Sequence, residues 1–200
     1  MVRLLLFTFL CLMTRSGWGQ SVFRLDSLPT NGVVLDKGWK WHSGDNPDWA
    51  KPELDDSGWD TLNPAQELSQ LKQLPQHGNG WLRLHLRVAT PLRGQAIGLF
   101  LQQIGATEIY INGQLTGLTG TINAHQQATV GVIFQISPFV HLTNDSLQVI
   151  AVRYAFSSNR LLTRPLPFFR LALLRPEMAK QHKLPVISML LSSSFWPAFF

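Results

Sequence analysis

A chain of 200 residues is long enough to bury the core of one domain, and with one cysteine it cannot form an internal disulfide, so burial alone must hold it together. Seventeen Lys and Arg against twelve Asp and Glu give a formal charge of +5. The basic residues are scattered (Arg83, Arg93, Arg153, Arg164) rather than arranged in a run, which argues against nucleic-acid binding. Charged residues make up only 14% of the chain, against about 25% in an average globular protein, so uncharged polar contacts are expected to dominate its surface.

Residues 1–19 read as an export signal. Arg3 supplies a positive start, residues 4–13 are apolar apart from Thr8, and Gly17-Trp18-Gly19 offers small residues before a cleavage point after Gly19. The apolar run falls short of the roughly 20 residues a membrane-spanning helix needs, and cleavage would remove Cys11, the one cysteine. The expected location is therefore the periplasmic or extracellular side of a bacterial membrane. The next span, residues 20–175, is expected to be one domain.

Short strands are expected at residues 22–25, 33–35 and 40–42. Asn46 followed by Pro47 reads as a cap on one helical turn. The segment Asn63-Pro64-Ala65-Gln66 predicts a helix running to about Leu74, with Asn63 as cap, Pro64 in the first turn, and Leu68 and Leu71 as a narrow apolar stripe. Residues 81–88 then alternate strictly. Leu82, Leu84, Leu86 and Val88 share one face, and Trp81, Arg83, His85 and Arg87 share the other, which predicts a half-buried strand.

An apolar strand from Ile97 and a second one ending Ile109-Tyr110-Ile111 precede Asn112-Gly113. That dipeptide is the strongest short-range hairpin signal, because a type I′ turn needs positive φ at both central residues. A strand is expected at 115–118, and another carrying Val130, Val132, Phe134 and Ile136 stops before Ser137-Pro138. The strand at 147–152 is apolar on both faces until Arg153 and is expected to be central. One more is expected at 168–173. Strands separated by turns, without alternating helices, predict an all-β sandwich or jelly roll with one short helix. Residues 176–200 form a tail. Its uncharged part, 184–200, reads either as the start of a membrane segment or as a plain tail interrupted by Pro185, Pro197 and three serines.

Little in the chain reads as catalytic or metal-binding machinery. Adjacent carboxylates on an extended loop point apart, so Asp55-Asp56 is expected to cap a loop rather than provide a facing acid–base pair, and Trp59 is expected to pack in the core. His42, His77, His85, His125 and His141 lack the short spacing of a zinc site. Calcium on Asp45, Asn46 or Asp48 is the weaker reading beside the helical-turn cap. No catalytic residue, metal or cofactor is assigned. Trp49, in polar surroundings, and the polar residues Asn123, His125, Arg153, Asn159 and Arg160 are the candidate ligand contacts, since loops and exposed indoles carry recognition.

Five motifs stand in a particular order: Leu35-Asp36-Lys37-Gly38-Trp39-Lys40-Trp41, Asp55-Asp56-Ser57-Gly58-Trp59, Gly80-Trp81-Leu82-Arg83, Glu108-Ile109-Tyr110-Ile111-Asn112-Gly113, and Asp145-Ser146-Leu147-Gln148-Val149-Ile150-Ala151-Val152. Together they resemble the amino-terminal sugar-binding jelly roll of family 2 glycoside hydrolases, a galactose-binding-like β-sandwich, over about residues 33 to 155. The variant Gly44-Asp45-Asn46-Pro47-Asp48-Trp49-Ala50 together with the export signal looks most like extracytoplasmic sandwiches of bacterial membrane-bound sensor proteins, including histidine kinases. Where the hydrolase family carries a Gly-rich loop ending in an aromatic, this chain has Thr119-Gly120-Thr121-Ile122-Asn123-Ala124-His125.

The resemblance implies a non-catalytic, extracytoplasmic domain that binds a small molecule or carbohydrate, as the sensor part of a membrane signalling protein. Membrane attachment at or beyond the carboxyl end would follow. The alternative implied is an accessory sugar-binding domain of a family 2 hydrolase of the β-galactosidase kind, and a dimerising structural sandwich is a third reading.

Overall fold

The computed structural model describes residues 22–74, 78–103, 105–122, 128–129, 134–155 and 169–180. In chain order the strands are β1 (Val22–Leu25), β2 (Val33–Val34), β3 (Trp39–Ser43), β4 (Asp60–Leu62), β5 (Asn79–Val88), β6 (Ala96–Gln103), β7 (Ala106–Ile111), β8 (Gln114–Thr119), β9 (Thr121–Ile122), β10 (Ala128–Thr129), β11 (Phe134–His141), β12 (Leu147–Ala155) and β13 (Phe169–Leu174), followed by the helix α1 (Pro176–Lys180). The larger sheet runs β4-β3-β5-β12-β7-β8, and β1 lies parallel to the second half of β5; the smaller sheet runs β11-β6-β13-β2. All other described pairings are antiparallel. The chain is an all-β sandwich.

Alternation in the sequence sets which residues meet between the layers. Leu82, Leu84 and Leu86 of β5, Ile150 and Val152 of β12, and Leu99 and Leu101 of β6 bury against Leu171 and Leu173 of β13. Trp39 and Trp41 join this core, and their indole N–H groups find partners: Trp39 Nε1 donates to the Leu35 carbonyl at 2.7 Å, and Trp41 Nε1 to the Tyr154 hydroxyl at 2.7 Å. Truncating one such buried Leu to Ala costs about 2–5 kcal/mol. As its two apolar faces predict, β12 is central, flanked by β5 and β7.

The hairpin between β7 and β8 has the expected geometry, with φ of 48° at Asn112 and 80° at Gly113. The Asn112 side chain also ties this turn to the next strand, accepting from the Val149 backbone N–H at 2.8 Å and donating to Thr143 Oγ1 at 3.2 Å.

Three expectations need correction. Residues 63–74 form turns and a short 3-10 stretch, Leu68–Gln70, instead of an α-helix. Asn63 does cap the first turn, its Oδ1 accepting from Ala65 N–H at 3.0 Å, but the Pro64 carbonyl accepts from Phe169 N–H of β13 at 2.9 Å and is lost to a helical ladder. The few apolar anchors, Leu71 and Leu74 among them, do not offset the cost of nucleating so short a helix. The α-helix among the described residues is α1, which covers the outer face of the smaller sheet. Its Ala179 lies so close to Gly98 that a Cβ there would sit 2.4 Å away.

The second correction concerns β11, which continues past Pro138 to His141 through a register shift between Ser137 and Val140. It is an edge strand, where proline needs no ladder donor. Val130 and Val132 lie outside the described residues. The third correction concerns β5, which is buried on both faces as far as His85; only Arg87 of its polar row is exposed. Residues 44–59 cross the outer face of the larger sheet and cover it.

Candidate functional site

The covering segment is built from local turn chemistry. Asn46 caps the 3-10 turn Pro47–Ala50 through its side chain, which accepts from Asp48 N–H at 3.0 Å. Asp55 forms the corresponding turn further on, accepting from Ser57 N–H at 3.0 Å. The segment is pinned to the sheet at two places.

At the first, Asp56 turns inward, which corrects the loop-capping expectation for that residue while Asp55 fulfils it. The Asp56 side chain is fully buried, accepting from Arg83 Nε at 2.8 Å and lying 2.9 Å from His85 Nε2. Burial alone would raise its pKa, but the hydrogen bonds from His85 and Arg83 outweigh burial and hold it below the usual carboxylate value. Arg83 Nη1 donates in addition to the carbonyls of Trp49 and Lys51, at 2.5 and 3.0 Å.

At the second, Asp45 meets Arg153 of β12 in a bidentate pair, 2.7 Å to Nε and 2.5 Å to Nη2. Trp81 Nε1 donates to the same carboxylate at 3.3 Å, and Glu108 of β7 takes Arg153 Nη1 at 3.2 Å. Arg153 thereby holds the Asp45 pKa down, and Asp45 raises that of Arg153. Tyr110 donates to Glu108 Oε2 at 2.7 Å, and burial with that bond pushes its hydroxyl up to about 12.

Between the two pins lies an aromatic cluster. Trp81 and Ala151 are buried at its base, with Ala50 on top and Trp49, Trp59 and Tyr110 packed half-buried around them. Trp81 stacks on Tyr110 at 5.6 Å, Trp49 and Trp59 meet edge to face at 5.3 Å, and exposed His42 lies 4.7 Å from Trp49 and 5.2 Å from Trp59. Trp59 thus belongs to this outer cluster and not to the core between the sheets.

Of the six residues expected to contact a ligand, the structure brings Trp49 and Arg153 into one cluster, joined through Trp81 and Asp45. Trp49 is partly exposed, whereas the Arg153 guanidinium is taken up by two carboxylates. Asn123, His125, Asn159 and Arg160 lie outside the described residues, as do residues 1–19, expected to be an export signal, and residues 184–200. His42, Trp59 and Tyr110 were not anticipated as site residues. The available signal was register, since Lys40 and His42 of β3 lie opposite Arg83 and Trp81 on one face. Asp45 and Asp48, considered for calcium, are held by Arg153 and by Lys51, and no group of three or more His, Cys, Asp or Glu suited to a metal occurs among the described residues. Among those residues no helix is long and apolar enough to cross a membrane.

No protein-family model matches the chain, and no curated protein matches it in sequence. Solved structures do. A Bacteroides uniformis β-glucuronidase superposes with a TM-score of 0.51 at 19% identity, over 72% of this chain and 18% of the enzyme. A β-glucuronidase from glycoside hydrolase family 2 gives 0.53 at 14% identity, over 75% and 18% of the two chains. A family 2 glycosyl hydrolase from Bacteroides cellulosilyticus gives 0.50 at 18% identity, over 73% and 21%.

This chain shares a fold with part of those enzymes. It spans about a fifth of their length, and at these identities the likeness is one of fold. The resemblance carried by the five motifs therefore stands at that level. The three enzymes are hydrolases, and none is a signalling protein.

Proposed function

We propose that the chain is a non-catalytic carbohydrate-binding β-sandwich, an accessory domain of the kind joined to family 2 glycoside hydrolases, acting outside the cytoplasm. The observation that carries this reading is the shared fold, confined to about a fifth of each hydrolase. The outer cluster supports binding, because Trp49 and Trp59 are partly exposed indoles, a side chain of the type that stacks on sugar rings. The carboxylates support the absence of turnover. Asp55 sits in an exposed turn while Asp56 is buried on Arg83, and Asp45 and Glu108 are bound to one arginine. A glycosidase pair must instead face across the sugar, about 5–10 Å apart.

The sensor reading rests on the segment from Gly44 to Ala50, the amino-terminal apolar run, the jelly-roll motifs and the apolar carboxyl end. Titration calorimetry of the full chain against a saccharide panel, alongside nitrophenyl-glycoside assays, tests the proposal. Saturable binding without hydrolysis supports it, and hydrolysis above background overturns it.

A further inference from the structure

We propose that Trp49, Trp59 and His42 form a stacking shelf selective for a neutral pyranose over a uronic acid or other anionic sugar. This rests on the carbohydrate-binding reading and adds to it a place and a ligand class. The two indoles meet at 73°, so a sugar ring stacked on one beside their junction abuts the other. His42 closes the third side and is exposed. Its Nδ1 lies 2.6 Å from the Ser43 carbonyl, so the proton sits there in the neutral ring, and Nε2 is left to accept from a sugar hydroxyl.

Selectivity follows from where the cations already are. Bidentate recognition of a carboxylate calls for a guanidinium free to make two parallel hydrogen bonds. Both arginines under the cluster are committed, Arg83 to Asp56 and Arg153 to Asp45 and Glu108. The second group carries one positive and two negative charges. Lys51 pairs with Asp48, and Lys40 Nζ donates to the Trp59 carbonyl at 3.3 Å. These charges balance, so an anionic sugar would give up the hydration of its carboxylate without meeting a net positive potential, whereas a neutral ring gives up little hydration on stacking.

Calorimetry of the full chain with cello-, xylo- and galacto-oligosaccharides as neutral probes and oligogalacturonides as acidic ones tests the idea. The neutral probe that binds best should do so at least about tenfold more tightly than any acidic one. Its binding should shift tryptophan emission, and Trp59→Ala should weaken it by about tenfold or more. His42→Ala, at an exposed position, should weaken it several-fold with an unchanged thermal melt, which keeps the test independent of folding defects. Neutral-sugar binding untouched by either substitution would place recognition elsewhere and overturn the shelf while leaving the carbohydrate reading intact. Tighter binding of oligogalacturonides would overturn the ligand class, and no binding of any saccharide would remove both proposals.

Discussion

Asp56 and Arg83, 27 residues apart in the chain, form an ion pair with both side chains fully buried, the carboxylate 2.8 Å from Nε. The pair lies on the outer face of the larger sheet, outside the main core, and it fastens residues 44–59 over that face. Without this fastening Trp81 and Ala151 would lie open to water, and Trp49 and Trp59 would lose the base they pack on.

Removing one partner of such a pair leaves an uncompensated buried charge, so Asp56→Ala is expected to destabilise the domain by about 3–5 kcal/mol. Asp55→Ala, which loses only an exposed turn contact, should stay within about 1 kcal/mol. Chemical denaturation of the two variants measures the difference. Equal effects would show that the buried pair does not anchor the segment.

Both pinning carboxylates titrate below their ordinary value of 3.8, Asp45 because Arg153 binds it and Asp56 because His85 and Arg83 together outweigh its burial. A depressed carboxylate contributes stability that is present above its unfolded pKa and is lost as pH falls through the folded one. The melting temperature should therefore hold down to about pH 4 and drop below it, with tryptophan emission changing as the segment lifts. Asp45→Asn should flatten that acid limb, and an unchanged acid limb would contradict the assignment.

The chain has two tyrosines, and both hydroxyls are pushed up to about 12, Tyr110 by burial and its bond to Glu108, Tyr154 chiefly by burial. For an acid whose folded pKa is raised, the linked stability is present below the unfolded value, near 10, and is lost as pH climbs toward 12. Spectrophotometric titration of tyrosinate in the native protein should show little ionisation at pH 10 and should show it rising near 12. Ionisation of either tyrosine near 10 would mean that its surroundings are wetter than described.

The Asn112 side chain fills two roles, tolerating a φ of 48° and bonding Val149 and Thr143. Asn112→Gly keeps the turn but loses the bonds, and Asn112→Ala loses both. Destabilisation of about 1 kcal/mol for Gly and about 2 kcal/mol for Ala is expected from denaturation midpoints. Equal costs would assign the whole effect to the side-chain bonds.

The strands were legible wherever burial and alternation coincide, as in Leu82, Leu84 and Leu86, and wherever a turn has one chemical solution, as at Asn112-Gly113. Local pattern misleads where a distant segment changes what a residue faces. Arg83 and His85 read as a solvent face because nothing local announces that Asp56 will lie on them. Pro64 suited a helix start, yet its carbonyl is claimed by Phe169, which comes from the other sheet. At the site, Trp49 stood out by composition. Its partners Trp59 and His42 emerge only once β3 is set beside β5 and residues 44–59 fold across them.

The proposed role is recognition of sugar without turnover, on the face that Asp56 and Asp45 hold together. Following tryptophan emission of the full chain during titration with neutral oligosaccharides tests it most directly. A saturable spectral change is expected, its midpoint moved to about tenfold or more higher sugar concentration by Trp59→Ala, with the saccharide recovered intact. Cleaved saccharide, or no spectral response to any sugar, would contradict it.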